Sequence, residues 1–397
     1  MLSNQAHVEK NFTFLKFLLY CGFFIIGILT VLIGQILPIL AARLSLDDRQ
    51  ATYFFIAQFF GSLGGVLISG LIVRRIGFVG VILIGFCLLA SGILILNSSV
   101  WIFCLSAFFI NGAGIGLTIP AINMLTVELN PQKSSRALNI LNFFWGAGAI
   151  VCKPFVDFFS TPTSIFAPSV ILSVSIAAVG SAIVFAPRSG EQKLFSDSDK
   201  VNTEFSVSIW TTQTAWLIAI FSFVHVGFES GVYGWITTYE QRLLGQEVSA
   251  GLSAAFAFFF FLVIGRALAG VYLRFLKEDT LLLLSLSVST IGVVLVLLAR
   301  DFQLLLLGAS IIGFGASTVF ATNTSRFTQI FGAGATRRAT PLFVAGSLGG
   351  AFTTWLIGYV SSNYNDLRYG MFVLLASCLI LIALQIFLIL NRRKNQI

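Results

Sequence analysis

Two titratable side chains stand one helical turn apart in the stretch His225-Val-Gly-Phe-Glu229, inside an apolar run near 211–240. At i and i+4 they share a face if that run is helical. A carboxylate held in low dielectric can take up and release a proton near neutral pH, and a histidine beside it can share the transfer. Glu229 reads as the only carboxylate well inside an apolar run. Polar residues interrupt other runs too: Gln35, then Asn111 and Thr118 seven apart, then Asn139, Asn142, Gly146 and Lys153. The last four fall within about 60° of one another at ~100° per residue. Amide side chains offer two donors and an acceptor oxygen, which suits a ligand rich in hydroxyls. Trp145, Trp235 and Tyr239 add rings that can stack on such a ligand's apolar face.

Three further charges lie in apolar surroundings: Lys153, Asp157 one turn beyond it, and Arg266. Charges are costly in hydrocarbon, so each marks a functional hypothesis. Plainer roles compete with it. Lys153 can pair locally with Asp157, or with Glu229 at similar depth. The asparagines can bridge helices or hold water. Tyr239 can anchor an interface. Arg266 has no partner evident in the sequence, and can hold backbone carbonyls or an anionic substrate.

The elements that must position these residues are membrane spans. Of 397 residues, 57% are hydrophobic and 10% charged, against roughly 25% charged in soluble domains. A spanning helix needs about 20 apolar residues, and the pattern reads as twelve such helices between 14 and 391, including 51–73, 100–127, 136–158, 211–240, 250–273, 302–325 and 337–361. Sorting the 24 Lys and Arg by side puts 17 on the side of both termini and 5 on the other, with Lys153 and Arg266 inside spans. The positive-inside rule then places both termini in the cytoplasm of a multi-pass inner-membrane protein. The net charge of +8 is thereby a matter of topology and anionic lipid, and no nucleic acid is expected. No phosphate loop, HExxH or CxxC occurs, so neither a cofactor nor a metal is expected. Cys21, Cys87, Cys104, Cys152 and Cys378 sit in apolar runs as small hydrophobes. No Ser/His/Asp set falls at one depth, which argues against an enzyme.

A polar stretch at 188–210 divides the chain into two domains, 1–187 and 211–397, of six helices each. The halves repeat. Phe23, Gly27, Gly34, Gly65, Gly70 and Arg74 recur 200 residues on as Phe223, Gly227, Gly234, Gly265, Gly270 and Arg274. Gly114 and Gly116 pair with Gly313 and Gly315, and Gly148 pairs with Gly350. Parallel six-helix repeats related by an axis along the membrane normal are a transporter architecture, with the substrate site between them.

The hairpin Gly70-Leu-Ile-Val-Arg-Arg75-Ile-Gly77 resembles the signature G-x-L-x-D-R-x-G of the major facilitator superfamily, with Arg74 where the usual Asp stands. Gly114-Ile-Gly116, Pro120-Ala-Ile-Asn123, Glu128-Leu-Asn-Pro131, Arg136-Ala-Leu-Asn139, Gly227-Phe-Glu229 and Gly234-Trp235 resemble the fucose–galactose–glucose:proton symporter branch. The resemblance implies an all-α integral membrane protein whose twelve transmembrane helices form two pseudo-symmetric six-helix bundles. It also implies a cytoplasmic gate at Arg74, Arg75, Arg274 and Asn139. The branch's sugar symporters carry carboxylates in helices one and four, where this chain has Gln35 and Asn111. The expected function is secondary transport of a small polar solute, a sugar foremost, by alternating access. Its partners are that solute, a proton taken up through Glu229 and His225, and the lipid bilayer, with the carrier a monomer. The competing reading is a proton-driven exporter of amphipathic drugs or organic anions.

Overall fold

A computed structural model describes residues 2–130, 134–185, 209–245, 252–331 and 340–394. The described chain is helical throughout, apart from turns, a short 3-10 segment at Ile209–Thr211 and one isolated bridge between Thr161 and Ser164. In chain order the helices are α1 (Leu2–Leu44), α2 (Asp48–Val73), α3 (Arg75–Ile95), α4 (Trp101–Glu128), α5 (Ser134–Phe159), α6 (Phe166–Phe185), α7 (Gln213–Leu244), α8 (Ala254–Phe275), α9 (Glu278–Leu298), α10 (Phe302–Phe331), α11 (Thr340–Tyr364) and α12 (Leu367–Lys394). Ten of them are long and apolar enough to cross a membrane by length and composition. The other two, α5 and α8, carry Lys153, Asp157 and Arg266.

Two boundaries depart from the expected spans. The chain runs from α2 into α3 as one helical element and turns at Gly77, with φ 74° and ψ 172°; that left-handed φ favours glycine. The expected single helix at 302–325 is interrupted, ending at Ala316 and restarting at Val319. The Ser317 hydroxyl donates to the Phe314 carbonyl at 2.6 Å, while the Thr318 hydroxyl meets that of Ser285 at 2.8 Å. Side-chain hydroxyls competing for backbone and neighbouring groups are a physical cause of such breaks.

Between apolar helices in lipid, close approach at small residues supplies the packing energy. A methyl placed on Gly148 of α5 would lie 2.0 Å from the Phe24 carbonyl oxygen of α1; one on Gly349 of α11 would lie 1.9 Å from the Phe223 carbonyl of α7. The internal repeat thus returns as the same crossing built twice. Packing also corrects the register. Gly114 rests on Gly85 and Leu89 of α3, and Gly315 on Ser285 and Ser289 of α9. By partner, therefore, Gly114 corresponds to Gly315, and Gly148 to Gly349, where sequence matching paired them with Gly313 and Gly350.

The described residues fall into two compact units, one within 1–30, 60–152 and 159–206, the other within 31–59, 153–158 and 207–397. The second unit therefore takes in the far ends of α1 and α2 and one turn of α5 with helices α7 to α12. Part of its core is Phe221, Leu282, Leu286, Val319, Leu381 and Leu388. Arg326 of α10, 1% exposed, donates to Asp279 Oδ1 of α9 at 2.8 Å and to Gln385 Oε1 of α12 at 2.9 Å. Arg326→Met keeps much of the volume but takes the buried cation from Asp279, whose side chain is 32% exposed and still accepts from Gln385 Nε2 at 3.2 Å. We expect a loss of about 2 kcal/mol, seen as a lower Tm in detergent. An unchanged Tm would mean the cluster does not hold these three helices.

Candidate functional site

Helix α7 is buried along nearly its whole length. On a helical wheel, His225, Glu229, Tyr233 and Glu240 fall within about 80° of one another. Glu229 Oε1 accepts from Arg266 Nη2 of α8 at 3.1 Å. Arg266 Nε also donates to the Ser317 carbonyl at 3.4 Å, where α10 is interrupted. The cation whose partner sequence left open therefore has a carboxylate and a helix-break carbonyl. His225 Nε2 is 3.8 Å from Glu229 Oε2, too far for a hydrogen bond. Both ring nitrogens are buried with no hydrogen-bond partner among the described residues. The Tyr233 hydroxyl donates to Ser230 Oγ at 3.2 Å.

A second group gathers further along α7. Gln35 Oε1 of α1 accepts from the Thr237 hydroxyl at 2.7 Å, both side chains being buried. Gln35 Nε2 has no partner among the described residues. Trp235 is fully buried; its Nε1 donates to the Thr354 carbonyl of α11 at 3.1 Å, and its ring lies 5.9 Å from that of Phe55 in α2. The Tyr239 hydroxyl donates to the Val296 carbonyl and accepts from Arg368 Nε, each at 3.3 Å. It thus ties α7 to α9 and α12.

Lys153 pairs with Asp157 along α5, the local option of the sequence. Glu240 corrects the expectation of a single embedded carboxylate. It is 1% exposed, and its Oε2 accepts from the Ala254 amide at the start of α8 at 3.1 Å. Glu240 lies eleven residues beyond Glu229, about three turns, so helical phase was the signal that could have found it. The reading placed it at a span's edge instead.

In the first unit, Asn111 is 3% exposed and makes no hydrogen bond to another described side chain. Thr118 is fully buried; its hydroxyl bonds the Gly114 carbonyl at 2.8 Å and its methyl abuts Gly85, which places it in the α3–α4 contact. Asn142 is exposed, with Nδ2 on the Leu138 carbonyl at 2.9 Å. Trp145 is half-buried, its carbonyl oxygen 2.1 Å from where a Gly27 methyl would sit. Arg75 is exposed; the side chains of Arg74, Arg274 and Asn139 lie outside the described residues.

Sequence reasoning missed the contacts of Asp48 at the start of α2. Arg242 Nη1 of α7 donates to Asp48 Oδ2 at 2.7 Å, and Ser361 of α11 donates to the same oxygen. Counting charges by side treats Asp48 and Arg242 as loop residues; their opposite signs at equivalent depth were the available clue. A Gly34 methyl would lie 2.1 Å from the Tyr233 carbonyl, so the ends of α1 and α2 close tightly on α7 and α11.

Along α7, open valences accumulate: both nitrogens of His225, Thr238 Oγ1 and Glu240 Oε1, with Gln35 Nε2 against the helix. A buried polar atom left unmatched costs about 1–3 kcal/mol, which bound hydroxyls or water would relieve. Residues 19–340 match the Major Facilitator Superfamily. The glucose/mannose transporter GlcP of Bacillus subtilis (strain 168) is 26% identical over 388 residues, covering 92% of this chain and 93% of that one. The solved nucleoside transporter NupG superposes with a TM-score of 0.74 at 14% identity, over 96% of this chain and 98% of that one. The E. coli fucose:proton symporter FucP gives 0.63 at 17%, over 94% and 98%. At these identities the two structures bear on fold alone.

Proposed function

The chain belongs to the Major Facilitator Superfamily and is a multi-pass membrane transport protein; from that premise we propose that it carries a sugar by alternating access, with a proton as coupling ion. Similarity to a glucose/mannose transporter over nearly the full length supports the sugar. The observation that carries the reading is the buried polar row on α7. Gln35 holds an acceptor on Thr237 and leaves its amide donors open. Such a mixture of amide and hydroxyl suits a polyhydroxylated ring.

Coupling is assigned to Glu229. A proton on its carboxylate removes the charge that Arg266 holds at 3.1 Å, and Arg266 is then free to keep the Ser317 carbonyl or meet the substrate. His225 is the group poised beside it. The 17-to-5 distribution of Lys and Arg supports cytoplasmic termini in an inner membrane. The halves 1–187 and 211–397, joined by 188–210, are the bodies proposed to rock. A second reading, export of amphipathic or anionic compounds, is favoured by Arg266, whose side chain is 33% exposed.

Purified protein in liposomes tests both readings with labelled hexoses, deoxyhexoses and an organic-anion panel. With one proton per sugar, a gradient of one pH unit is about 1.4 kcal/mol and supports roughly tenfold accumulation. We expect saturable hexose uptake of at least that size, collapsed by a protonophore. Accumulation indifferent to the gradient would remove the proton; uptake of anions but no sugar would replace the substrate.

A further inference from the structure

The transport steps above leave Glu240 unused, although it is among the most buried charged side chains of the described residues, at 1% exposure. One oxygen, Oε2, receives the amide of Ala254, the first residue of α8. A helix start carries partial positive charge, so this is one favourable contact. The other oxygen, Oε1, is buried with no hydrogen-bond partner among the described residues. The full charges that act on Glu240 are Lys153 and Asp157 of α5, and those two are already paired with each other.

The charge balance differs from that at Glu229. There, a carboxylate faces the whole positive charge of Arg266. Here, an ionised Glu240 with Asp157 and Lys153 leaves one net negative charge beside a carboxylate that is 1% exposed, offset among the described residues by a helix terminus, with the Asp157 side chain 23% exposed. Isolating a charge this way is costly in low dielectric. Among the described residues, no other full charge acts on Glu240. The first turns of α8, Ala254 to Leu262, contain no ionisable side chain. On α7 itself, Arg242 is held by Asp48, and the Tyr239 hydroxyl is engaged with Val296 and Arg368. One proton brings the cluster to neutrality.

We propose that Glu240, seated on the first amide of α8 beside the Lys153–Asp157 pair, is a second proton-binding site of this carrier, filled while α7, α8 and the end of α5 pack as they do here. The carboxylate takes the proton from water on Oε1 and returns it to water when that packing opens and the oxygen is hydrated. The site deepens the proton-coupled reading, and rests on it only for the transport part of the test.

Infrared difference spectroscopy of the purified protein, titrated in pH, reads the site without any substrate. A protonated-acid carbonyl band is expected in the wild type, retained in Glu229→Gln and lost in Glu240→Gln, a change that preserves the acceptor for the Ala254 amide. Glu240→Asp should keep the band and move the midpoint of its titration, which still decides the matter if the Gln variant fails to fold. A band that is absent from the wild type, or unchanged in folded Glu240→Gln and in Glu240→Asp, overturns the proposal. In liposomes a second coupled proton raises the accumulation supported by one pH unit from about tenfold to about a hundredfold; Glu240→Gln should keep sugar counterflow and return accumulation to about tenfold. Should no sugar be carried at all, the transport reading falls while the infrared band still decides the site.

Discussion

Arg266→Ala is expected to abolish transport and weaken the fold, and adding Glu229→Ala is expected to restore the fold without the transport. The single change strands Glu229, 15% exposed, with only an uncharged-range contact to His225 at 3.8 Å. Stranding one member of a buried pair costs 3–5 kcal/mol in dry surroundings. Because Arg266 is 33% exposed, water enters the gap, and about 2–3 kcal/mol is the expected loss. The double variant removes the stranded charge, so a double-mutant cycle should return roughly 1–3 kcal/mol of coupling. Transport behaves differently, since the single variant removes the cation paired with Glu229 and the double variant removes Glu229 as well. Counterflow should fall by about a hundredfold in Arg266→Ala, the scale of a lost charged contact of ~3 kcal/mol, and should stay there in the double variant. If the double variant is as unstable as the single one, Arg266 matters through the Ser317 carbonyl, and Glu229 is not its partner in function.

What was legible in the sequence follows from how far each interaction reaches along the chain. Spans are legible because lipid forces each backbone polar group to be satisfied within its own helix, so every span announces itself as an apolar run. Lys153 and Asp157 are legible for the same reason: they pair across a single turn. Arg266 and Glu229 are 37 residues apart, and Gln35 and Thr237 are 202 apart; no local pattern relates either pair. They are joined by the crossing of α7 with α8 and with α1, the latter closing at Gly34, whose partner only packing reveals. Glu240 is intermediate. Its phase on α7 was readable, but its capping of α8 requires knowing where α8 begins in space. The break in α10 was hidden because Ser317 and Thr318 act through hydroxyl geometry, to which an apolar average is blind.

Gly27 and Gly34 put the rocking proposal to its sharpest test, because they pose the same steric problem on the same face of α1, two turns apart. A methyl on Gly27 would lie 2.1 Å from the Trp145 carbonyl oxygen of α5; a methyl on Gly34 would lie 2.1 Å from the Tyr233 carbonyl oxygen of α7. Backbone atoms cannot step aside as a flexible side chain does, so in both cases a helix must move. Helices α1 and α5 belong to one sequence half, and that contact has to survive every stage of a rocking cycle. Helices α1 and α7 belong to different halves, and theirs has to break once per cycle. Gly27→Ala should therefore cost stability, about 1–3 kcal/mol of overpacking, read as a lower Tm and a poor yield of folded protein. Gly34→Ala can escape its clash by opening the contact, at little cost to the fold. About 1.4 kcal/mol of strain relieved this way shifts the two-state population tenfold. The readout is a cysteine at a site buried in the closed arrangement: Thr52→Cys, where Thr52 is fully buried on α2 beside Gly358 of α11, with the native cysteines removed. An impermeant maleimide should label it about tenfold faster in Gly34→Ala than in the parent. Asp48→Asn should act in the same direction and more weakly, because the Arg242 side chain is 46% exposed and exposed pairs contribute little. Equal losses of stability in Gly27→Ala and Gly34→Ala, with Thr52→Cys still shielded, would make the α1–α7 contact part of a rigid core, and motion between the halves would have to open somewhere else.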